Sequence, residues 1–325
     1  MKSSAPSGGG RPRSGQVGAS GWTMEKKMTF TDLFWTSGEG LPLHARDYAP
    51  MGVIGGETSG LPVICIHGLT RNGRDFEDLA PLIAARGRRV LAVDVRGRGL
   101  SAWDPQPLNY HPGTYAGDIV ALLAATGIEK AVFVGTSMGG LITMVLASFK
   151  PEAIAAVVLN DVGPELSPVG LTRIAAYAGG ASRFETWDEA VAYARRINQA
   201  AFPAYGDADW DRFARRVFDE KDGGFVLACD PDISAPIKAA AAASQNGASA
   251  LAPDMYPLFR ALTQDRPVLL VRGGISDLVD PAIVERMCAA APAMAVVEVP
   301  GVGHAPMLTE PEAWAAIADL LDRVP

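Results

Sequence analysis

Residues 132–140 read Val-Phe-Val-Gly-Thr-Ser-Met-Gly-Gly, and an apolar stretch with helical spacing follows to Phe149. A short, wholly apolar run suits a strand buried on both faces. The small residues that end it allow a sharp turn straight into a helix, and that turn lifts the Ser137 hydroxyl out of the backbone. A chain built around this segment must pack helices against a sheet.

The pattern repeats on both sides. Leu61–Ile66, Val90–Val93, Ala131–Val134, Ile154–Leu159, Val268–Val271 and Ala295–Val299 are short apolar runs. Helical spacings lie between them, over 75–86, 114–126, 138–149, from Pro281 behind a capping Asp280, and near 311–321 behind Thr309. Such alternation predicts an α/β fold with a doubly wound, mostly parallel sheet. Ahead of it, Met28–Thr36 and Leu41–Tyr48 alternate around Ser37-Gly38-Glu39-Gly40 and predict a hairpin.

The rhythm stops at Asp161-Val162-Gly163-Pro164 and resumes a hundred residues later without a convincing strand between. Thr186-Trp187-Asp188-Glu189 predicts a capping box for a helix over 187–201, and further helices are expected over 208–219, 233–244 and 254–263. The expected organisation is a disordered tail over 1–24, a core of 25–163 and 263–325, and a helical cap over 164–262. The tail is rich in Gly, Ser and Pro and lacks the apolar run of a secretory signal.

Composition narrows the function. The net charge of −7, with three basic residues and no acid in the first 23, leaves an acidic body unsuited to nucleic acid. No stretch reaches 18 uninterrupted apolar residues, so no membrane span is expected. Cys65, Cys229 and Cys288 lie far apart with neither disulfide nor zinc spacing, which fits a reduced, cytoplasmic protein. The paired arginines 195–196 and 215–216 read as a solvated face.

A serine hydroxyl needs a base, and the chain has four histidines. His304, in Pro300-Gly301-Val302-Gly303-His304, follows the last strand and precedes the last helix, where it reaches the same crevice as Ser137. His67 ends a buried strand and reads as structural. Its neighbour Gly68 turns the backbone so that the Leu69 amide, with that of Met138, forms a two-donor oxyanion hole. Gly135 and Gly139 shape the turn around Ser137. His44 reads as an exposed strand residue and His111 as a helix-entry or surface residue. Two acids compete to orient His304. Asp277 follows the strand 268–271, and Asp161 follows the strand 154–159. Asp277 is preferred, because Asp161 has a separate duty at the entrance to the insertion.

His67-Gly68, Asp94-Val95-Arg96-Gly97-Arg98-Gly99-Leu100-Ser101, Gly135-Thr136-Ser137-Met138-Gly139-Gly140, Ser276-Asp277 and Gly303-His304 stand in this order. Together they resemble the lid-bearing α/β-hydrolase superfamily over about residues 28–322. The resemblance implies Ser137 as nucleophile, Asp277 as acid and His304 as base, with residues 94–101 on the floor of the site. It implies hydrolysis through an acyl-enzyme without metal or organic cofactor, and the aromatic residues of the cap, such as Trp187, Phe202 and Phe213, point to a small or medium carboxylic ester or lactone with an apolar or aromatic part. The serine excludes relatives whose nucleophile is aspartate, namely haloalkane dehalogenases and epoxide hydrolases. Alternatives on the same three residues are a carbon–carbon bond hydrolase and a cofactor-free perhydrolase. Meta-cleavage hydrolases often carry Asn where this chain has Thr136. A slow-turnover ligand receptor is the alternative from another class.

Overall fold

The computed structural model describes residues 30–52, 60–179, 183–239 and 254–325. The expected tail over 1–24, the start of the first strand at Met28 and residues 240–244 of the Ala-rich stretch lie outside them. Eight strands form the main sheet: β1 (Thr31–Thr36), β2 (Pro42–Tyr48), β3 (Val63–Ile66), β4 (Val90–Asp94), β5 (Ala131–Thr136), β6 (Ile154–Asn160), then Val268–Gly273 and Ala295–Val299. Their spatial order is β1, β2, β4, β3, β5, β6, followed by the last two in chain order. The β1–β2 and β2–β4 pairs are antiparallel and the others parallel. This is the α/β-hydrolase fold.

Each central strand feeds two cores. In β3, Ile64 and Ile66 enter the apolar cluster on one face while Val63 and Cys65 enter the other. In β5, Ala131 and Phe133 alternate with Val132 and Val134 in the same way. Both faces are therefore covered, which is why these strands read as unbroken apolar runs rather than alternating ones. Burying each of the Val, Ile and Phe side chains among them stabilises the fold by about 1.5–3 kcal/mol.

The helices begin and end where local chemistry requires. Helix α1 spans Leu79–Ala84 and α2 spans Pro112–Thr126. His111 accepts from the Gly113 amide at the start of α2, Pro112 supplies a preset φ, and Gly127 ends the helix at φ 67°. Helix α3 (Met138–Ala147) follows β5 with one residue between. The helix Pro281–Ala290 is capped by Asp280 through the Ile283 amide. The last helix, Pro311–Asp322, begins behind Glu310 rather than Thr309.

The segment between β6 and the strand at Val268 carries α4 (Pro168–Tyr177), α5 (Trp187–Asn198) and α6 (Asp207–Val217), and later Tyr256–Thr263. The Thr186–Glu189 capping box starts α5. The segment also holds three short strands, Arg183–Phe184, Phe218–Lys221 and Gly224–Leu227, as an antiparallel sheet of their own. Strands of two to four residues are too brief to carry a period, so the sequence shows no convincing strand there. An aromatic cluster of Tyr193, Phe202, Trp210, Phe213 and Phe218 forms its core.

Two surface expectations fail. His44 is buried, 1 % exposed, and its ring joins Asp94 at 2.7 Å and Asp32 at 3.0 Å. Those two carboxylates raise its pKa against the opposing, and individually larger, effect of burial. Arg216 is also buried, and it pairs with Glu77 and Asp78. It joins the inserted segment to the main domain rather than facing solvent.

Candidate active site

The register of the parallel strands assembles the site. Ile66 pairs with Gly135, and Thr136 pairs with Asn160, so β3, β5 and β6 end at one level. Ser137 is the next residue after β5, with φ 52° and ψ −113°. A non-glycine side chain seldom adopts such a backbone, and its occurrence is typical of functional turns. The neighbours must be small. A Cβ at Gly139 would lie 2.0 Å from the Ile66 carbonyl oxygen, and one at Gly135 would lie 2.5 Å from the Gly140 nitrogen.

His304 Nε2 lies 2.9 Å from Ser137 Oγ, and its Nδ1 lies 2.8 Å from Asp161 Oδ2. The structure thus corrects the choice of acid: Asp161, not Asp277, meets His304. Asp161 follows β6 with φ 53° and is fully buried. Its Oδ1 accepts from the Gly273 amide at 2.9 Å, and Oδ2 also accepts from Ser276 Oγ at 2.6 Å. These two donors hold the carboxylate in one orientation. Ser276 is fixed in turn, its hydroxyl oxygen accepting from the Leu278 and Val279 amides.

Asp277 turns the other way. Its carboxylate takes two hydrogen bonds from Arg173 on α4, at 2.5 and 2.7 Å. That guanidinium holds the Asp277 carboxyl below the usual carboxylate range. The physical reason is the loop after Gly273, which presents alternate side chains to opposite sides, so that Ser276 faces the site and Asp277 faces the insertion.

His67 is buried and bonded on both ring nitrogens. Nδ1 donates to the Gly68 carbonyl at 2.7 Å, and Nε2 accepts from the Val95 amide at 3.1 Å. Burial lowers its pKa to about 4, so the ring is neutral and ties β3 to β4. The Gly68 position lies against Ser137: a Cβ there would be 3.6 Å from Ser137 Cβ. Leu69 and Met138 line the same cavity as Ser137. Met138 is the first residue of α3, where backbone amides have no intrahelical acceptor. Arg98, wholly buried, donates to the Leu69 carbonyl at 3.0 Å and rests against Met138 Sδ at 3.7 Å.

Asn160 also serves the site, and sequence reasoning missed it. Its Nδ2 donates to Thr136 Oγ1 at 3.0 Å and to the Pro306 carbonyl at 2.8 Å, tying the serine turn to the His304 loop. The signal was a polar Asn-Asp pair ending an otherwise apolar run.

Above these residues lies a cavity of about 390 Å³. Its walls are mostly apolar and come from both the main domain and the insertion, with Leu141, Leu166, Ile174, Phe202, Phe213 and Met307 among them. Among the described residues, no group of three or more His, Cys, Asp or Glu is placed to hold a metal ion. No helix among them is long and apolar enough to cross a membrane.

A sheet of this order, with Ser137 at the strand-to-helix turn, defines the class. The family model described as alpha/beta hydrolase fold matches residues 62–311. The chain belongs to the α/β-hydrolase family. It is 38% identical over 261 residues to a 3-hydroxybutyrate-oligomer hydrolase of Cupriavidus necator, covering 79% of this chain and 86% of that one. It is 31% identical over 265 residues to a 2-(acetamidomethylene)succinate hydrolase of Mesorhizobium japonicum, covering 81% and 89%. A crystal structure of an alpha/beta hydrolase from Novosphingobium aromaticivorans superposes with a TM-score of 0.80 at 43% identity, covering 91% and 99%.

Proposed function

We propose that the chain hydrolyses carboxylic esters through Ser137, His304 and Asp161, with residues 164–262 acting as the cap that encloses the substrate. The observation that carries this reading is the unbroken hydrogen-bonded line Ser137 Oγ–His304–Asp161 at 2.9 and 2.8 Å. Ser137 Oγ attacks the ester carbonyl as its proton passes to His304 Nε2. Asp161 holds Nδ1–H, fixes the tautomer and stabilises the imidazolium. The Leu69 and Met138 amides donate to the oxyanion, a contribution of about 10²–10³ in rate for each donor. His304 then protonates the leaving alcohol and activates the water that releases the acid.

The Cupriavidus relative is named for oligomers of 3-hydroxybutyrate, a hydroxy acid whose oligomers are joined by ester bonds. A mostly apolar cavity of about 390 Å³ suits a short oligoester of this kind. We therefore assign short hydroxyalkanoate oligoesters as the substrate class.

The test is hydrolysis of p-nitrophenyl acetate and of the linear 3-hydroxybutyrate dimer by the wild type and by Ser137→Ala. Prompt wild-type turnover of both, reduced at least about 10⁴-fold in the folded variant, is the expected result. Equal activity in the two proteins would rule out Ser137 as nucleophile. Turnover of the p-nitrophenyl ester alone would keep the chemistry and remove the substrate assignment.

A further inference from the structure

Arg71 is the cation in the wall of the cavity, three residues beyond Gly68. The Gly68 position brings it beside the reacting centre: a Cβ there would touch Ser137 Cβ at 3.6 Å and Arg71 Cγ at 3.8 Å. Asp75 holds one edge of the guanidinium. Nε donates to both carboxylate oxygens at 2.9 Å, and Nη2 donates to Oδ1 at 2.6 Å. The flat face lies over Phe213 of α6, 3.9 Å from the ring centroid.

A guanidinium carries five N–H donors in a planar fork. Asp75 takes the edge formed by Nε and Nη2. The edge formed by Nη1 and Nη2 keeps its outward donors, and Nη1 has no hydrogen-bond partner among the described residues. The side chain is still 15% exposed, so that edge is reachable. A purely structural arginine in a mostly apolar wall would gain by directing both edges at protein acceptors. Here Asp75 and Phe213 fix the fork while one edge stays open, an arrangement preorganised for a second carboxylate.

We infer that Arg71 receives a free carboxylate of the substrate, so the cavity selects esters that carry a carboxylate a few bonds from the scissile carbonyl. The inference rests on the ester-hydrolase reading above and narrows it. Asp75 makes the pair neutral, so the site rewards fork geometry as well as charge. An oligoester ending in a free acid presents this group, whereas its amide or an alkyl acetate does not.

The experiment compares kcat/KM for the 3-hydroxybutyrate dimer as free acid and as its isosteric primary amide, in the wild type and in Arg71→Met. The wild type is expected to prefer the acid by about tenfold or more, and Arg71→Met to bring the ratio to about one. Arg71→Lys, which keeps the charge without the fork, should give an intermediate ratio. Should Arg71→Met leave Asp75 unpaired and the protein unfolded, the double variant Arg71→Met/Asp75→Asn provides the same comparison. A wild type indifferent to the two substrates overturns the inference. So does a preference that survives the substitution, or an equal loss on both substrates, which marks a structural role. Failure of the wild type on both dimers with p-nitrophenyl acetate still cleaved overturns the substrate class and this inference together. Failure on all three overturns the hydrolase reading beneath it.

Discussion

Asp161 and Asp277 lie beyond the C-terminal ends of neighbouring parallel strands, and from sequence either can reach His304. Their surroundings differ. Asp161 is wholly buried, sits in a left-handed backbone conformation, and accepts from one amide, one hydroxyl and the imidazole. Asp277 is partly exposed, 31% at its side chain, and is taken up by a single arginine of the insertion. A carboxylate meant to orient a histidine needs fixed donors and exclusion of water, since only then does it hold one tautomer. A carboxylate that ties a surface segment down needs neither. The contrast lies in what each strand end is packed against, not in strand position or chain order.

The largest expected effect comes from breaking the buried member. Asp161→Asn should lower kcat by about 10⁴-fold on p-nitrophenyl acetate, because an amide can hold the wrong tautomer of His304. The variant should remain folded, since Asn keeps an acceptor for the Gly273 amide; circular dichroism and thermal unfolding check this. Retention of activity within tenfold would return Asp277 to consideration. Ser276→Ala is expected to act more mildly, through Asp161. Losing one charge-assisted donor costs about 1.5–3 kcal/mol where the carboxylate is buried, and a decrease of about ten- to a hundredfold in kcat with little change in KM should follow. A larger effect on KM than on kcat would place Ser276 in substrate binding instead.

The legible part of this molecule is the part written in short-range pattern. The buried strands announced themselves as apolar runs because both faces are covered, and the turn at Gly135–Gly140 is visible because no larger residues fit there. His304 was identifiable because few histidines exist and one follows the last strand. The choice between Asp161 and Asp277 was not legible. It depends on the way Gly273–Asp277 leaves the sheet, which places Ser276 rather than its neighbour against Asp161. Asn160 was hidden for a similar reason: both of its partners, Thr136 and Pro306, are remote in sequence. The small sheet of the insertion left no period, and His44 read as exposed because its acids Asp32 and Asp94 come from other strands.

Asp277→Asn provides the smallest effect and the sharpest control. Asp277 touches neither Ser137 nor His304 by hydrogen bond, so kcat on p-nitrophenyl acetate should stay within about threefold of the wild type. Stability should fall only by about 0.2–1 kcal/mol, the usual worth of a partly exposed ion pair. The pH dependence identifies that loss. Arg173 holds the folded-state pKa of Asp277 below its ordinary value, so the unfolded chain binds its proton first as pH falls. The pair therefore contributes stability above the ordinary aspartate pKa of about 3.9, and loses it as pH falls through the folded value. Urea unfolding of the two proteins should differ at pH 7 and converge below about pH 4. A gap that persists at low pH would mean that the substitution acts through packing of α4 rather than through the charge. A loss of activity approaching that of Asp161→Asn would mean that the loop after Gly273 can turn Asp277 toward His304 during turnover, and the two aspartates would then share the duty that their static surroundings divide.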